Sequence, residues 1–285
     1  MKKVIVILGL TATGKSDLAV KIAKKVDSEV ISADSRQVYK GLDIGTGKIT
    51  KKEMKGIPHY LLDVVNPKRK FTVAEYQKKA IYAIAEIIKK GKIPIICGGA
   101  GFYIDAITKG MIFPEVPPNL KLRRTLYPKS AITLFEYLKK LDPKRAKNID
   151  KNNKVRLIRA IEITKTLGKV PKIMKDYPSY KFVKIGLYLP PNELRKKVEK
   201  RVKKMFKDDL LNEIKKLKKA GISQKRLKEL GFEYDNPTYE KVVKETLKYT
   251  KRQMTWFKRD RDIKWFNASK KNLEKSVLIK LKKDF

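Results

Sequence analysis

The chain has 285 residues, 42% of them hydrophobic, which is enough for one large or two modest domains with proper cores and excludes global disorder. Its 70 Lys and Arg against 30 Asp and Glu leave a formal net charge of +40. That charge points to a polyanionic partner, beside the plainer alternative that lysines simply solvate helix faces. One cysteine, Cys97, and one histidine, His59, exclude an internal disulfide and leave too few soft ligands for a structural zinc site.

Residues 4–8 form a continuous β-branched apolar run closed by Gly9, which predicts a strand buried on both faces of a parallel sheet. A helix follows over residues 16–26, with Leu18, Ala19, Ile22, Ala23 and Val26 on one face. A second strand is predicted at 30–33, a helix at 73–90, and a third strand at 93–97 that ends in Gly98-Gly99. Strand and helix alternate, so the expected fold class is α/β, with an open parallel sheet core.

Beyond Gly110 the pattern changes, because Pro114, Pro117 and Pro118 interrupt it and the amphipathic helices predicted at 134–141 and 155–167 have no strands between them. These features predict a helical insertion domain over residues 111–177, set into a catalytic core of residues 1–110 and 178–285. Residues 183–189 read as a strand returning to the sheet. Leu194, Val198, Val202, Met205, Leu210, Ile214 and Leu217 then mark a single long helix with Lys196, Lys197, Lys203 and Lys204 on its polar side. The remaining C-terminal region is expected to be helical and basic. The apolar run after Lys2-Lys3 is too short for a signal peptide, and no run approaches the about 18 residues a membrane span needs. A soluble, cytoplasmic protein with no membrane partner is expected.

The octapeptide Gly9-Leu10-Thr11-Ala12-Thr13-Gly14-Lys15-Ser16 satisfies GxxxxGK[ST] between a predicted strand and a predicted helix, the context a P-loop requires, so the α/β core is expected to be a P-loop NTPase-like parallel sheet. Gly9, Thr11, Ala12, Thr13 and Gly14 would wrap backbone N–H groups around phosphate oxygens, Lys15 would neutralise the terminal phosphate, and the Ser16 hydroxyl would ligate Mg²⁺. Such a loop specifies a ligand of at least two phosphates and leaves the reaction open. A nucleotide hydrolase is disfavoured, since the strand at 93–97 ends in glycines where such enzymes place a magnesium-organising Asp. Asp34 follows the second strand, at the carboxyl edge of the sheet where the P-loop also opens. It can accept a proton from an attacking amine or hydroxyl, or it can merely cap the turn after it. Ser35, Arg36, Gln37 and Tyr39 follow as groups suited to a nucleobase edge.

The segment Ile31-Ser32-Ala33-Asp34-Ser35-Arg36-Gln37-Val38-Tyr39, continuing through Asp43-Ile44-Gly45-Thr46-Gly47-Lys48, resembles the signature of the tRNA dimethylallyltransferase (tRNA isopentenyltransferase) family. Further matches follow in the family's order: Gly56-Ile57-Pro58-His59-Tyr60, Phe71-Thr72-Val73-Ala74-Glu75-Tyr76, Gly98-Gly99 with Tyr103-Ile104, Leu141-Asp142-Pro143, Arg159-Ala160-Ile161-Glu162 and Lys251-Arg252-Gln253-Met254-Thr255-Trp256-Phe257. The resemblance implies transfer of a dimethylallyl group from dimethylallyl diphosphate to the exocyclic amine of the adenosine 3′-adjacent to the tRNA anticodon, with release of diphosphate. It implies Asp34 and Lys15 as catalytic residues, with Asp34 deprotonating the amine, and a base-recognition segment holding Ser35 and Gln37. The adenine would have to leave its stack to reach them. Arg156, Arg159, Lys251, Arg252 and Gln253 fall in segments resembling those that contact the anticodon stem-loop, although each can equally be a solvated surface group. Trp256 and Phe257 read as core residues ahead of base-stacking ones. A monomer is expected, without the zinc-finger extension of some eukaryotic relatives.

Two positions depart from the family pattern: Ala100 stands where Thr is usual after Gly98-Gly99, and Glu233 stands where Arg or Lys is usual. The insertion also reads as shortened. A small-molecule P-loop kinase using ATP, with Arg123 and Arg124 as lid arginines, is the main alternative. A nucleic-acid-binding protein whose catalytic site has decayed at Ala100 and Glu233 is the other.

Overall fold

The first apolar run forms β1 (Lys2–Gly9), in which Val4, Ile5, Val6, Ile7 and Leu8 are all buried, whichever face of the strand they occupy. Burial on both sides is what a central strand of a parallel α/β sheet demands. The computed structural model describes residues 2–171, 174–175 and 180–284. Within them β1 is followed by α1 (Lys15–Lys25), β2 (Ser28–Ser32), the short α2 (Lys51–Met54), β3 (His59–Tyr60), α3 (Val73–Lys89), β4 (Ile93–Gly98) and α4 (Gly101–Thr108). Next come β5 (Met111–Ile112), α5 (Leu120–Leu126), α6 (Ala131–Leu141), α7 (Pro143–Ala146), α8 (Lys154–Leu167) and β6 (Met174–Lys175). The chain continues as β7 (Tyr180–Tyr188), α9 (Pro191–Lys207), α10 (Leu210–Lys219), α11 (Gln224–Leu230), α12 (Tyr239–Phe257), β8 (Lys264–Asn267) and α13 (Leu273–Asp284).

Two compact units result, Met1–Gly110 with Tyr177–Phe285, and Met111–Asp176. The expected return to the core at residue 178 lies outside the described residues. In the first unit six strands pair in the order β3-β2-β4-β1-β7-β8, every pair parallel. Ile5, Ile7, Val30, Ile95 and Ile185 bury one face of the sheet against Leu18 and Ile22 of α1 and Val277 and Leu281 of α13. Val4, Val6, Leu8, Ile31 and Ile96 bury the other against Tyr76, Ile84 and Ile87 of α3 and Ile104 and Ile107 of α4. Truncating one such core residue, Ile84 for example, would cost about 2–5 kcal/mol. The parallel sheet brings the carboxyl ends of β1, β2 and β4 to one edge, where open α/β folds bind ligands.

Three expectations are corrected here. The single helix predicted through Leu217 is two, α9 and α10, because Asp209 adopts a left-handed φ of 71° and its side chain caps α10 by accepting the Asn212 N–H at 3.2 Å. Asp209 thus turns the chain while the apolar periodicity runs on unbroken. The C-terminal region is not wholly helical: β8 adds a parallel edge to β7, with Ile185 beside Lys264, and an ion pair of Lys184 with Asp260 at 2.7 Å secures the approach to it. The insertion likewise contains strands, the antiparallel pair β5 and β6, each two residues long and too short to show a period.

The second unit is built on α6 and α8, whose Leu134, Leu138, Leu157, Ile158 and Ile161 form its core with Leu126. Glu162 is 1% exposed there and accepts two bonds from the Arg123 guanidinium, at 2.6 and 2.7 Å. Arg123 is therefore committed to holding its own unit together, and a lid role for it finds no footing.

Candidate active site

The P-loop starts where β1 runs out of room. A Cβ at Gly9 would lie 2.2 Å from the Leu187 carbonyl oxygen of β7, so only glycine allows this close passage. Ala12 and Gly14 take left-handed φ values of 67° and 80°, which curl the loop before Lys15 opens α1. The buried Thr13 hydroxyl closes the curl by donating to the Leu10 carbonyl at 2.7 Å. Gly9 and Thr13 therefore shape the loop, whereas Thr11, Ala12, Gly14, Lys15 and Ser16 line a cleft of about 300 Å³. Asp34, Gln37, Gly47, Cys97, Gly98, Gly99, Arg201 and Gln253 line it as well.

Lys15 donates to the Leu10 carbonyl, and burial pulls its pKa down to about 8, with the Arg201 guanidinium adding to that pull and the Asp34 carboxylate opposing it. The ammonium still carries its proton at neutral pH. Burial pushes the Cys97 thiol up to about 11, so the cysteine beside the P-loop is a packed neutral group and no nucleophile. Ser16 is an exposed residue at the head of α1 whose hydroxyl lies beside Cys97 and offers the cleft a hard oxygen, the donor type Mg²⁺ takes.

Asp34 leaves β2 directly into a turn, and its Oδ1 accepts the N–H groups of Arg36 at 2.8 Å and Gln37 at 3.3 Å. The turn-capping alternative is thus real and uses one oxygen. No hydrogen bond among the described residues engages Oδ2, so capping and proton acceptance are compatible on one carboxylate. Gly98 is required opposite, because a Cβ there would lie 2.1 Å from the Ala33 carbonyl oxygen. Ser35 sits in the turn beside Asp34, outside the cleft lining.

Sequence reasoning missed Arg201. It lies on α9 in a run of charged residues, 167 positions from Asp34 (201 minus 34), and nothing local distinguishes it. Its Nη2 donates to the Thr46 carbonyl at 2.7 Å, which holds the guanidinium at the cleft. Burial lowers its pKa, opposed by Asp34 and Glu233. Glu233, one of the two departures, is pushed up to about 7 by burial, against the pull of Arg36 and Arg201. At Ala100, the other departure, the backbone N–H bonds the Ala33 carbonyl at 3.1 Å, and no side chain caps α4.

Gln253 has a structural role that the sequence does not show. It is 5% exposed, its Oε1 accepts the Thr11 N–H at 2.9 Å, and its Nε2 donates to the Gly99 carbonyl at 3.0 Å. The amide thus ties the P-loop to the end of β4, and the side chain lines the cleft beside Asp34 and Lys15. Lys251 and Arg252 are exposed on α12, with Arg252 5.5 Å above the Tyr249 ring. In the second unit Arg156 is exposed, while Arg159 is drawn inward to the Val116 carbonyl at 2.8 Å and to Glu162 at 3.4 Å. Phe257 is core, and Trp256 braces α4 by donating to Asp105 at 3.1 Å.

A family model described as IPP transferase matches residues 37–260. A tRNA dimethylallyltransferase of Halothermothrix orenii is 40% identical, the alignment covering 99% of this chain and 93% of that protein. Among solved structures, the full-length tRNA isopentenylpyrophosphate transferase of Bacillus halodurans superposes with a TM-score of 0.73 at 32% identity, covering 99% of this chain and 98% of the other. A eukaryotic dimethylallyltransferase captured acting on tRNA superposes with a TM-score of 0.81 at 26% identity, covering 100% of this chain and 79% of the other. The kinase alternative has no support in these relatives. A family model over most of the chain and relatives aligned along nearly all of it establish that the chain belongs to the IPP transferase family, the tRNA dimethylallyltransferases, and is a prenyltransferase.

Proposed function

We propose that the chain transfers a dimethylallyl group from dimethylallyl diphosphate to N6 of the adenosine 3′-adjacent to the tRNA anticodon, releasing diphosphate. One observation carries this: the Asp34 carboxylate and the P-loop lysine line the same cleft of about 300 Å³. The adenine N6 attacks the allylic carbon, the carbon–oxygen bond to the diphosphate breaks with its electron pair leaving on oxygen, and Asp34 takes the proton shed by the amine. Lys15, Arg201 and the P-loop N–H groups stabilise the charge that builds on the departing diphosphate. Mg²⁺ held at Ser16 would add Lewis-acid neutralisation of that charge.

Gln37 flanks Asp34 and donates to the Thr46 and Gly47 carbonyls, both at 3.4 Å, which presents its amide to the base. Exposed Arg156, Lys251 and Arg252 are assigned to RNA phosphates, in keeping with the net charge of +40. No helix among the described residues is long and apolar enough to cross a membrane, and a monomer working in the cytoplasm, where tRNA resides, completes the proposal. The test is incubation with dimethylallyl diphosphate, Mg²⁺ and unmodified tRNA, followed by nucleoside mass spectrometry. N6-dimethylallyladenosine supports the reading, and unaltered adenosine with intact, folded enzyme removes it.

A further inference from the structure

Residues 43–48 make a tight turn against the cleft, closed by bonds from the Gly47 N–H to the Ile44 carbonyl at 3.0 Å and from the Lys48 N–H to the Asp43 carbonyl at 2.9 Å. Three successive N–H groups of this turn converge on one carboxylate, Glu213 of α10. Its Oε2 accepts from Asp43 at 2.9 Å and Ile44 at 2.7 Å, and its Oε1 accepts from Gly45 at 3.0 Å. The Tyr234 hydroxyl donates to the same Oε1 at 2.9 Å. Glu213 is only 8% exposed, so a full set of donors is what lets it remain there.

The same turn meets the cleft through its next residues. The Thr46 carbonyl accepts from Arg201 at 2.7 Å and from Gln37 at 3.4 Å. Two glycines make both contacts possible. A Cβ at Gly45 would lie 2.6 Å from the Tyr234 hydroxyl, and one at Gly47, where φ is +54°, would lie 2.4 Å from the Arg201 guanidinium. Lys48 separately binds the carboxylates of Asp43 and Asp63 and the Tyr39 carbonyl, which secures the ends of the turn. Loss of Glu213 would therefore shift the turn without unravelling it.

We infer that Glu213 is a positioning residue for the donor site: it fixes the turn at residues 43–45 and thereby sets where the Thr46 carbonyl holds the Arg201 guanidinium. The inference rests on the reading of the cleft as the diphosphate site. A long arginine side chain has many rotamers, and a charge displaced by about an ångström loses much of its effect on a transition state. Glu213 never touches substrate and acts only through Arg201 and Gln37.

Glu213→Gln tests this, because whichever way the amide is turned its NH₂ faces either the Asp43 and Ile44 N–H groups or the Gly45 N–H and the Tyr234 hydroxyl. The expected result is a fall of about ten- to hundredfold in kcat/KM for dimethylallyl diphosphate, with KM for tRNA within about twofold of wild type. In an Arg201→Lys background the same substitution should cost little more, since the two act as one unit. An equal loss in both backgrounds, or a lowered melting temperature with unchanged kinetics, overturns the inference. Should Glu213→Gln not fold, Glu213→Asp keeps the charge, shortens the reach and replaces it in the same double-mutant cycle, where the same results support or overturn the inference. Absence of transfer by the wild-type enzyme would instead remove the reading of the cleft, and this inference with it.

Discussion

Replacing Asp34 by Asn separates the two jobs of its side chain. The Asn carbonyl oxygen can still accept the Arg36 and Gln37 N–H groups, bonded at 2.8 and 3.3 Å in the native turn, so the local backbone and the cleft should keep their shape. What disappears is the capacity to take a proton, because an amide is not a base near neutral pH. Loss of a general base costs about 10² to 10⁴ in rate, equivalent to roughly 3 to 5 kcal/mol of barrier. The Asp34→Asn enzyme should therefore bind tRNA within a few fold of wild type in a filter assay, with single-turnover transfer from saturating donor slower by at least a hundredfold. Transfer within a few fold of wild type would take the catalytic role from Asp34 and leave it a turn cap. Collapse of both tRNA affinity and thermal stability would show that the turn, and not the proton, is what the carboxylate serves.

Because burial holds Lys15 at about 8, its ammonium loses its proton as pH rises through that value in the free enzyme. Donor capture should fall with it, to about a tenth of its maximum one pH unit higher, and a kcat/KM profile for dimethylallyl diphosphate that stays flat from pH 7 to 9 would refute the assignment. Lys15→Ala should raise the donor requirement and leave tRNA affinity unchanged. Ala100→Thr would supply α4 with the side-chain cap it lacks, so the melting temperature should rise by the equivalent of about 1 kcal/mol. Its single-turnover rate should rise or stay level, and a large drop would mean this site is built differently from the family's. Affinity for tRNA should fall steeply between low and physiological salt, with Lys251→Ala and Arg252→Ala each reducing the log–log slope by about one. Unchanged slopes in both would place the RNA elsewhere.

The parts of the site that were legible in the sequence are those whose chemistry is local. Gly9, Gly14, Lys15 and Ser16 announce a phosphate loop because backbone curl, charge and helix terminus occupy eight consecutive residues, and Asp34 was visible because it directly follows an apolar strand. Arg201 and Glu213 were hidden for the opposite reason. Each lies on a lysine-rich helix, and what sets it apart is a contact made 155 to 170 residues away. Only the fold shows that the Gln253 amide joins Thr11 to Gly99, because both partners lie more than 150 residues away. Periodicity failed at Asp209, where a left-handed residue breaks a helix without disturbing its apolar register. It failed again at β8, because Lys264-Trp265-Phe266-Asn267 becomes a strand only by docking on the open edge of β7.

The central claim is that a single cleft holds the diphosphate at the P-loop and the adenine amine at Asp34. It is tested most directly by single-turnover reaction of doubly labelled dimethylallyl diphosphate, with one label in the allyl group and one in the diphosphate, with unmodified tRNA. The account predicts one diphosphate released for each allyl group gained, all of the allyl label on the adenosine 3′-adjacent to the anticodon, and neither product when tRNA is omitted. Diphosphate released without tRNA, or allyl label spread over other positions, would contradict it.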